Sequence, residues 1–275
     1  KTLESTSGRH TEIKETDSVV VRFSGDSGDG MQLTGMQFTN TSALLGKDIS
    51  TFPEFPAEIR APAGTLAGVS SFQLHFGSKE IFTPGDIYDV LVCMNAAALK
   101  ADLPRLRKAG IVIANVSGFD SKNLKLANYP EGALSPLDDN TLEEYKVYKI
   151  DISKLTKEVL KDSGLSMKDI DRCKNMFVLG LLFWMFDQGM DVTIATLQEK
   201  FAARPELLDA NLKALKAGWN YGDTTEIFTT RYKTAPAKLP AGEYRNISGN
   251  QALAIGVIAA AEKAGLKLFL GSDPI

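Results

Sequence analysis

SVVVRFSGDSGDGMQLTG, residues 18–35, decides how the rest of the chain is read. Its first stretch, Ser18–Ser24, is short and β-branched, the pattern of a buried strand. Glycines follow at 25, 28 and 30. Residues 30–46 then place Leu33, Met36 and Leu44 on one helix-like face before Gly46 ends the segment. The unit reads strand, turn, helix. The turn departs from the dinucleotide fingerprint, in which the second glycine directly follows a single intervening residue: Ser27 stands at that position. Asp26 and Asp29 would compete with a pyrophosphate for the positive end of the following helix. The acid expected on the ribose would be Asp48, which follows the first helix rather than a second strand. A P-loop is excluded because no G-K-[ST] follows. The bland alternative is a strand–helix turn whose aspartates cap it.

Outward from this unit, ISTFPEFPAEIRAPAGTLAG is broken by Pro53, Pro56 and Pro62, and Gly68–Gly77 alternates through Val69, Phe72, Leu74 and Phe76 as a strand does. Asp89–Met94 and Ile111–Asn115 read as further buried strands, with NAAALKADLPRLRKAG helical between them, and Tyr145–Ile152 as another strand. Strands alternating with helices predict a Rossmann-like, doubly wound, mainly parallel α/β sheet. From residue 153 the text is helical: Ser166 and Asp169 form a capping signature before the Met176–Phe186 run, and Leu208, Leu212, Leu215 and Trp219 make a packing stripe closed by Gly222. The expected organisation is a mobile tail over 1–17, one domain over 18–222, a proline-bearing linker over 223–246, and over 247–275 a capped helix and the strand LKLFLG, a second α/β domain only begun. A strand and a helix make no core alone, so the chain is expected to continue.

Of the 275 residues, 44% are apolar and 24% charged, with a net charge of −3 and no basic cluster. This disfavours nucleic acid or an anionic membrane as the main partner. The longest apolar run falls well short of the roughly 20 residues of a membrane span, and the polar start has no signal-peptide character. Cys93 and Cys173 lie too far apart in sequence to suggest a zinc site and are too few for an iron–sulfur cluster, which takes about four. They fit a reduced, cytoplasmic protein. His10 lies in the tail, and His75 on the alternating strand reads as a half-buried strand residue rather than a base. No catalytic acid, base, nucleophile or metal ligand set stands out. The unexplained stretch is the stiff Pro/Gly loop around Glu58 and Arg60, read either as a face turned toward something or as a surface excursion tied by that pair.

Taken together, these stretches resemble the 2-oxoacid:ferredoxin oxidoreductases, and within them an alpha subunit that carries the gamma domain at its N-terminus. FSGDSGDGMQLTG resembles the family's glycine turn, with Ser27 replacing one glycine; Pro53 to Ala61 (PEFPAEIRA) resembles its P-x-[FY]-x-x-E-[IV]-R loop; Asp89 to Leu99 (DVLVCMNAAAL) resembles a strand–helix motif. Gly249-Asn250-Gln251-Ala252 then opens the approach to the thiamine-pyrimidine-binding domain, and GSDPI enters its first motif with Asp273 where the family has Tyr. APAGTLAGVSSFQ points toward the 2-oxoglutarate enzymes.

The resemblance implies the conversion of 2-oxoglutarate, coenzyme A and oxidised ferredoxin to succinyl-CoA, CO2 and reduced ferredoxin. Thiamine diphosphate, Mg2+ and a [4Fe-4S] cluster belong to the whole complex, not to this stretch. A beta subunit and ferredoxin are the implied partners, in an (αβ)2 heterotetramer. Coenzyme A-facing or interface candidates are Gly25, Ser27, Gly28, Gly30, Thr34, Glu58, Arg60 and Gly64, with catalytic residues none and metal ligands none. The rivals are a non-catalytic assembly domain and a stand-alone Rossmann-type NAD(P) dehydrogenase.

Overall fold

A computed structural model describes residues 11–58, 60–225 and 227–271. His10, Asp273 and the rest of 1–10 and 272–275 lie outside the described residues. The chain divides after Leu239 into a large unit and a small one.

In the large unit β1 is Glu12–Glu15, β2 Ser18–Asp26, β3 Asp48–Glu54, β4 Val69–Gly77, β5 Tyr88–Cys93, β6 Leu106–Asn115, β7 Lys146–Ile150 and β8 Thr230–Lys233. Six of them form a sheet in the order β3-β4-β2-β5-β6-β7. β4 runs against both its neighbours, while β2, β5, β6 and β7 are mutually parallel. The sheet is therefore mainly parallel, with one reversed strand. The helices are α1 Met31–Leu44, α2 Ala96–Asp102, α3 Ser121–Leu126, α4 Ile152–Leu160, α5 Met167–Arg172, α6 Lys174–Met185, α7 Asp191–Lys200 and α8 Pro205–Thr224.

The sheet's period-two alternation feeds two cores. Val21, Phe23, Phe72, Leu74 and Val92 face α1, α6 and α8 on one side, while Leu91, Cys93, Val112 and Ala114 face α2 and α3 on the other. On the first side the Phe38 ring stacks on Phe183 with centroids 5.4 Å apart, and Phe76 meets Phe186 edge-on at the same separation. Helices α6 and α8 approach until backbone meets backbone. A Cβ on Gly180 would lie 1.9 Å from the Leu215 carbonyl oxygen, and one on Gly218 would lie 1.9 Å from that of Phe177.

Several expectations change. The buried side of α1 is Met31, Thr34, Gln37, Phe38, Thr41 and Ser42; of the expected apolar face Leu33 packs against the core, while Met36 and Leu44 are exposed. Polar contacts to distant segments turn the helix this way: Thr41 meets Thr193 of α7, and Ser42 meets Gln188 in the loop between α6 and α7. The segment after Gly46, to which the sequence reading assigns no element, forms β3; Pro53 is tolerated because β3 lies at the sheet edge. The helix after β5 is short, ending at Asp102, and β6 starts earlier, at Leu106. Ser166 caps α5 rather than the apolar helix, which is α6. Gly222 lies inside α8 against the Trp184 ring and does not close it. Glu12–Glu15, expected in a mobile tail, pairs in parallel with Thr230–Lys233, expected in a linker. The latter segment is tied down by buried Phe228, whose ring lies 4.3 Å from that of Tyr148.

The small unit holds α9, Gly249–Ala264. Ser248 Oγ accepts from the Gln251 N–H at 3.3 Å while Gln251 Oε1 accepts from the Ser248 N–H at 2.9 Å, a reciprocal cap. No residue of α9 is buried. LKLFLG, expected as a strand, is irregular, because an isolated strand has no neighbour with which to exchange hydrogen bonds.

Candidate functional site

Strand β2 runs two residues further than its apolar pattern, so Gly25 and Asp26 still pair with Ser70 and Val69 of β4. Ser27–Asp29 then makes one 3-10 turn, and Gly30, at φ 73°, swings the chain into α1. The left-handed backbone there requires a residue with little steric cost.

Both carboxylates of the turn are engaged with this chain's own groups. Asp26 accepts from the Gly64 N–H with both oxygens, at 2.9 and 3.0 Å. Burial raises its carboxyl above the ordinary range against the lowering effect of the Gly64 N–H, and neighbouring Asp29 adds to the rise. Asp29 accepts from the Asp26 N–H at 2.8 Å and pairs with Lys174 Nζ at 2.9 Å. Lys174 also meets Asp171 at 2.8 Å. Burial works to lower the Lys174 ammonium, but Asp29 and Asp171 override it, and its pKa sits above the usual lysine value. The aspartates therefore fasten the turn to the loop that follows β3 and to the start of α6.

The glycines serve the same packing. A Cβ on Gly25 would fall 2.6 Å from Asp29 Oδ2, and one on Gly30 would fall 2.4 Å from Asn175 Nδ2, whereas Gly28 faces open space. Two of the three thus make room for this chain's own side chains, not for a pyrophosphate, which removes the physical basis of the dinucleotide reading. Asp48, at the start of edge strand β3, accepts from the Ile81 N–H at 2.6 Å.

Of the eight candidates, Ser27, Gly28, Glu58 and Arg60 are exposed and Gly30 is half-buried. Gly25 and Gly64 are buried; Gly64, at φ 85°, lies beside Leu126 and Asn123 of α3. Thr34 is corrected: it is fully buried, and its hydroxyl donates to the Gly30 carbonyl at 3.2 Å and lies 3.3 Å from that of Asn175, so it pins α1 to α6. Among the described residues no ion pair joins Glu58 to Arg60; the loop is instead shaped by backbone turns such as Ala61 N–H to Glu58 O at 3.3 Å. Turn and loop form one surface, joined through Asp26 and Gly64.

Beneath that surface lies a buried polar cluster that the pattern reading passed over. The Arg22 guanidinium, 1% exposed, contacts Asp102 at 3.1 Å and pairs with Glu54. Ser71 Oγ donates to Asp102 at 2.9 Å and lies 3.0 Å from Ser24 Oγ. Burial opposes the charge on Arg22, but the two carboxylates hold its pKa above the ordinary value. The available signal was a single cation inside an apolar strand. His75 is half-buried, as expected, with Nδ1 2.9 Å from the Thr83 carbonyl. Cys93 and Cys173 are free and buried; burial pushes both thiols up, Cys173 to about 11, so neither is a ready nucleophile. Among the described residues no group of three or more His, Cys, Asp or Glu is placed to hold a metal ion, and none of the helices is long and apolar enough to cross a membrane.

A mainly parallel, Rossmann-like sheet whose glycine turn is filled by its own side chains defines the class of domain. The chain belongs to the pyruvate ferredoxin/flavodoxin oxidoreductase family, whose model matches residues 20–221. It is 52% identical over 259 residues to the 2-oxoglutarate oxidoreductase subunit KorA of Mycobacterium tuberculosis, covering 94% of this chain and 39% of that protein. It is 22% identical over 260 residues to the alpha subunit of 2-oxoacid:ferredoxin oxidoreductase 1 of Aeropyrum pernix, covering 87% of this chain and again 39% of the relative. The chain thus spans about two fifths of the length of the curated relatives it matches. Among solved structures it resembles a 2-oxoglutarate:ferredoxin oxidoreductase from Magnetococcus marinus, with TM-score 0.65 and 21% identity over 94% of this chain and 44% of that one, which supports the fold.

Proposed function

We propose that this chain belongs to a 2-oxoglutarate:ferredoxin oxidoreductase, which converts 2-oxoglutarate, coenzyme A and oxidised ferredoxin to succinyl-CoA, CO2 and reduced ferredoxin. The observation that carries this reading is the 52% identity, over nearly the whole chain, to a protein named as a 2-oxoglutarate oxidoreductase subunit. A structural relative was solved with 2-oxoglutarate, coenzyme A and succinyl-CoA bound. The enzyme acts in the cytoplasm with a beta subunit as an (αβ)2 assembly. Thiamine diphosphate, with Mg2+, supplies the electron sink for decarboxylation when bound, and a [4Fe-4S] cluster passes on the electrons. The two buried, separate thiols do not fit a cluster, and no step is assigned to such a group on this chain.

The share of the work that falls to this chain is scaffold and ligand-facing surface. Arg60, exposed on the loop fastened to the glycine turn, offers a planar fork of donors to a phosphate of coenzyme A. Ser27 and Gly28 are exposed on the turn to which that loop is fastened. In the assembled enzyme, Arg60→Ala is expected to raise KM for coenzyme A by about tenfold, read from 2-oxoglutarate-dependent reduction of ferredoxin. Activity with pyruvate but not 2-oxoglutarate would overturn the substrate assignment, and an unchanged KM would overturn the coenzyme A role. The second reading, an assembly domain, is favoured by exposed Phe55 on that loop, 70% accessible. It predicts loss of the complex, with no coenzyme A effect, when residues 55–63 are replaced by a short Gly/Ser linker.

A further inference from the structure

The loop between Glu54 and Gly64 is held at both ends by one strand. Arg22 and Asp26 lie four residues apart on β2, so their side chains leave the same sheet face. Arg22 takes the Glu54 carboxylate at the loop's first stem, and Asp26 takes the Gly64 N–H at its second. The first stem is fixed further: Arg22 is held by buried Asp102 at 3.1 Å, and the Glu54 carbonyl accepts from the Gln32 amide of α1 at 3.0 Å. Between the anchors Phe55, Ala57, Glu58 and Arg60 are exposed. A solvent-facing segment without such anchors would sample many backbone states, and ordering it on binding would cost conformational entropy.

We propose that Arg22 and Asp26 are positioning residues that clamp the two stems of the 54–64 loop and so preform the surface bearing Arg60. The clamp rests on contacts within this chain; its consequence for the ligand rests on the coenzyme A reading given above. Such a loop binds by docking onto a ready surface, because the ordering cost is met in folding rather than at each encounter.

The test uses the complete oxidoreductase carrying Asp26→Ala, Asp26→Asn, Glu54→Ala or Glu54→Gln. Hydrogen exchange of the peptide spanning 55–65, without any ligand, is expected to quicken by about tenfold in the two alanine variants. The amide variants, which keep an oxygen to accept from the Gly64 N–H or from Arg22, are expected to stay near the parent rate. In the alanine variants KM for coenzyme A should rise by about threefold to tenfold, more than kcat falls. Unchanged exchange in both alanine variants overturns the clamp. Faster exchange with an unchanged coenzyme A KM, while Arg60→Ala still raises it, overturns the positioning role. If Arg60→Ala has no effect either, the coenzyme A reading fails, and faster exchange then supports the clamp alone.

Discussion

Lys47 shows how a single residue in this fold carries a cost that depends on pH. Its side chain is buried, with the ammonium 5.1 Å from the centre of the Phe76 ring. Burial drives its pKa down to about 8, with Asp187 pulling weakly upward. The folded value therefore lies below the ordinary 10.5. Between those limits the unfolded chain holds more protons than the folded one, so stability rises with pH across that window. Below about pH 8 the whole cost of the buried charge is present. Lys47→Met, which keeps the length of the side chain, is expected to raise the unfolding free energy in urea by about 1–3 kcal/mol at pH 7. The gain should shrink at pH 10; an equal gain at both values would show that packing, not charge, sets the effect.

At the scale of elements, the α6–α8 crossing is the most demanding contact. Gly180 of one helix sits against Leu215 of the other, and Gly218 sits reciprocally against Phe177, at distances where no Cβ fits. Gly218→Ala must force these helices away from each other, and they carry Phe177, Leu181, Phe183 and Leu215 of the core. A loss of about 3 kcal/mol or more is expected in chemical unfolding, and a cost under about 1 kcal/mol would mean that the helices slide apart freely. Legibility also divides by element. β2 is plain in the sequence as a short β-branched run, and β4 by its alternating apolar residues, although both strands are buried on both faces. α1 is readable as a helix but not in its facing, since beside Met31 and Phe38 its buried side carries Thr34, Thr41 and Ser42, which find partners on α6, α7 and the loop between them. β3 is hidden by prolines that an edge strand accommodates. The glycine turn can be located from sequence, yet its purpose cannot, because Gly64, Lys174 and Asn175 reach it from distant segments that carry no local signature.

For the molecule as a whole, the division after Leu239 separates a sheet domain with two filled cores from a helix with none. Leu253, Ile255 and Ile258 on α9 are exposed, and so is Phe269 beyond it. Hydrophobic stabilisation scales with area withdrawn from water, and this segment withdraws little. The segment from Pro240 on, prepared alone, is therefore expected to show no cooperative melting when followed by far-UV circular dichroism. A sharp transition in that segment alone would overturn this.

The two-stranded ribbon has a consequence in time. β1 is made well before its partner, which comes among the last segments of the sheet domain, since Glu12 faces Thr230. At about 5–20 residues per second, some 10–40 s separate the synthesis of the two strands. During that interval β2, β4 and β5 can already pair, while β1 waits without a neighbour. Closing the ribbon is thus a late event in biosynthesis, a seam drawn shut after the garment is sewn.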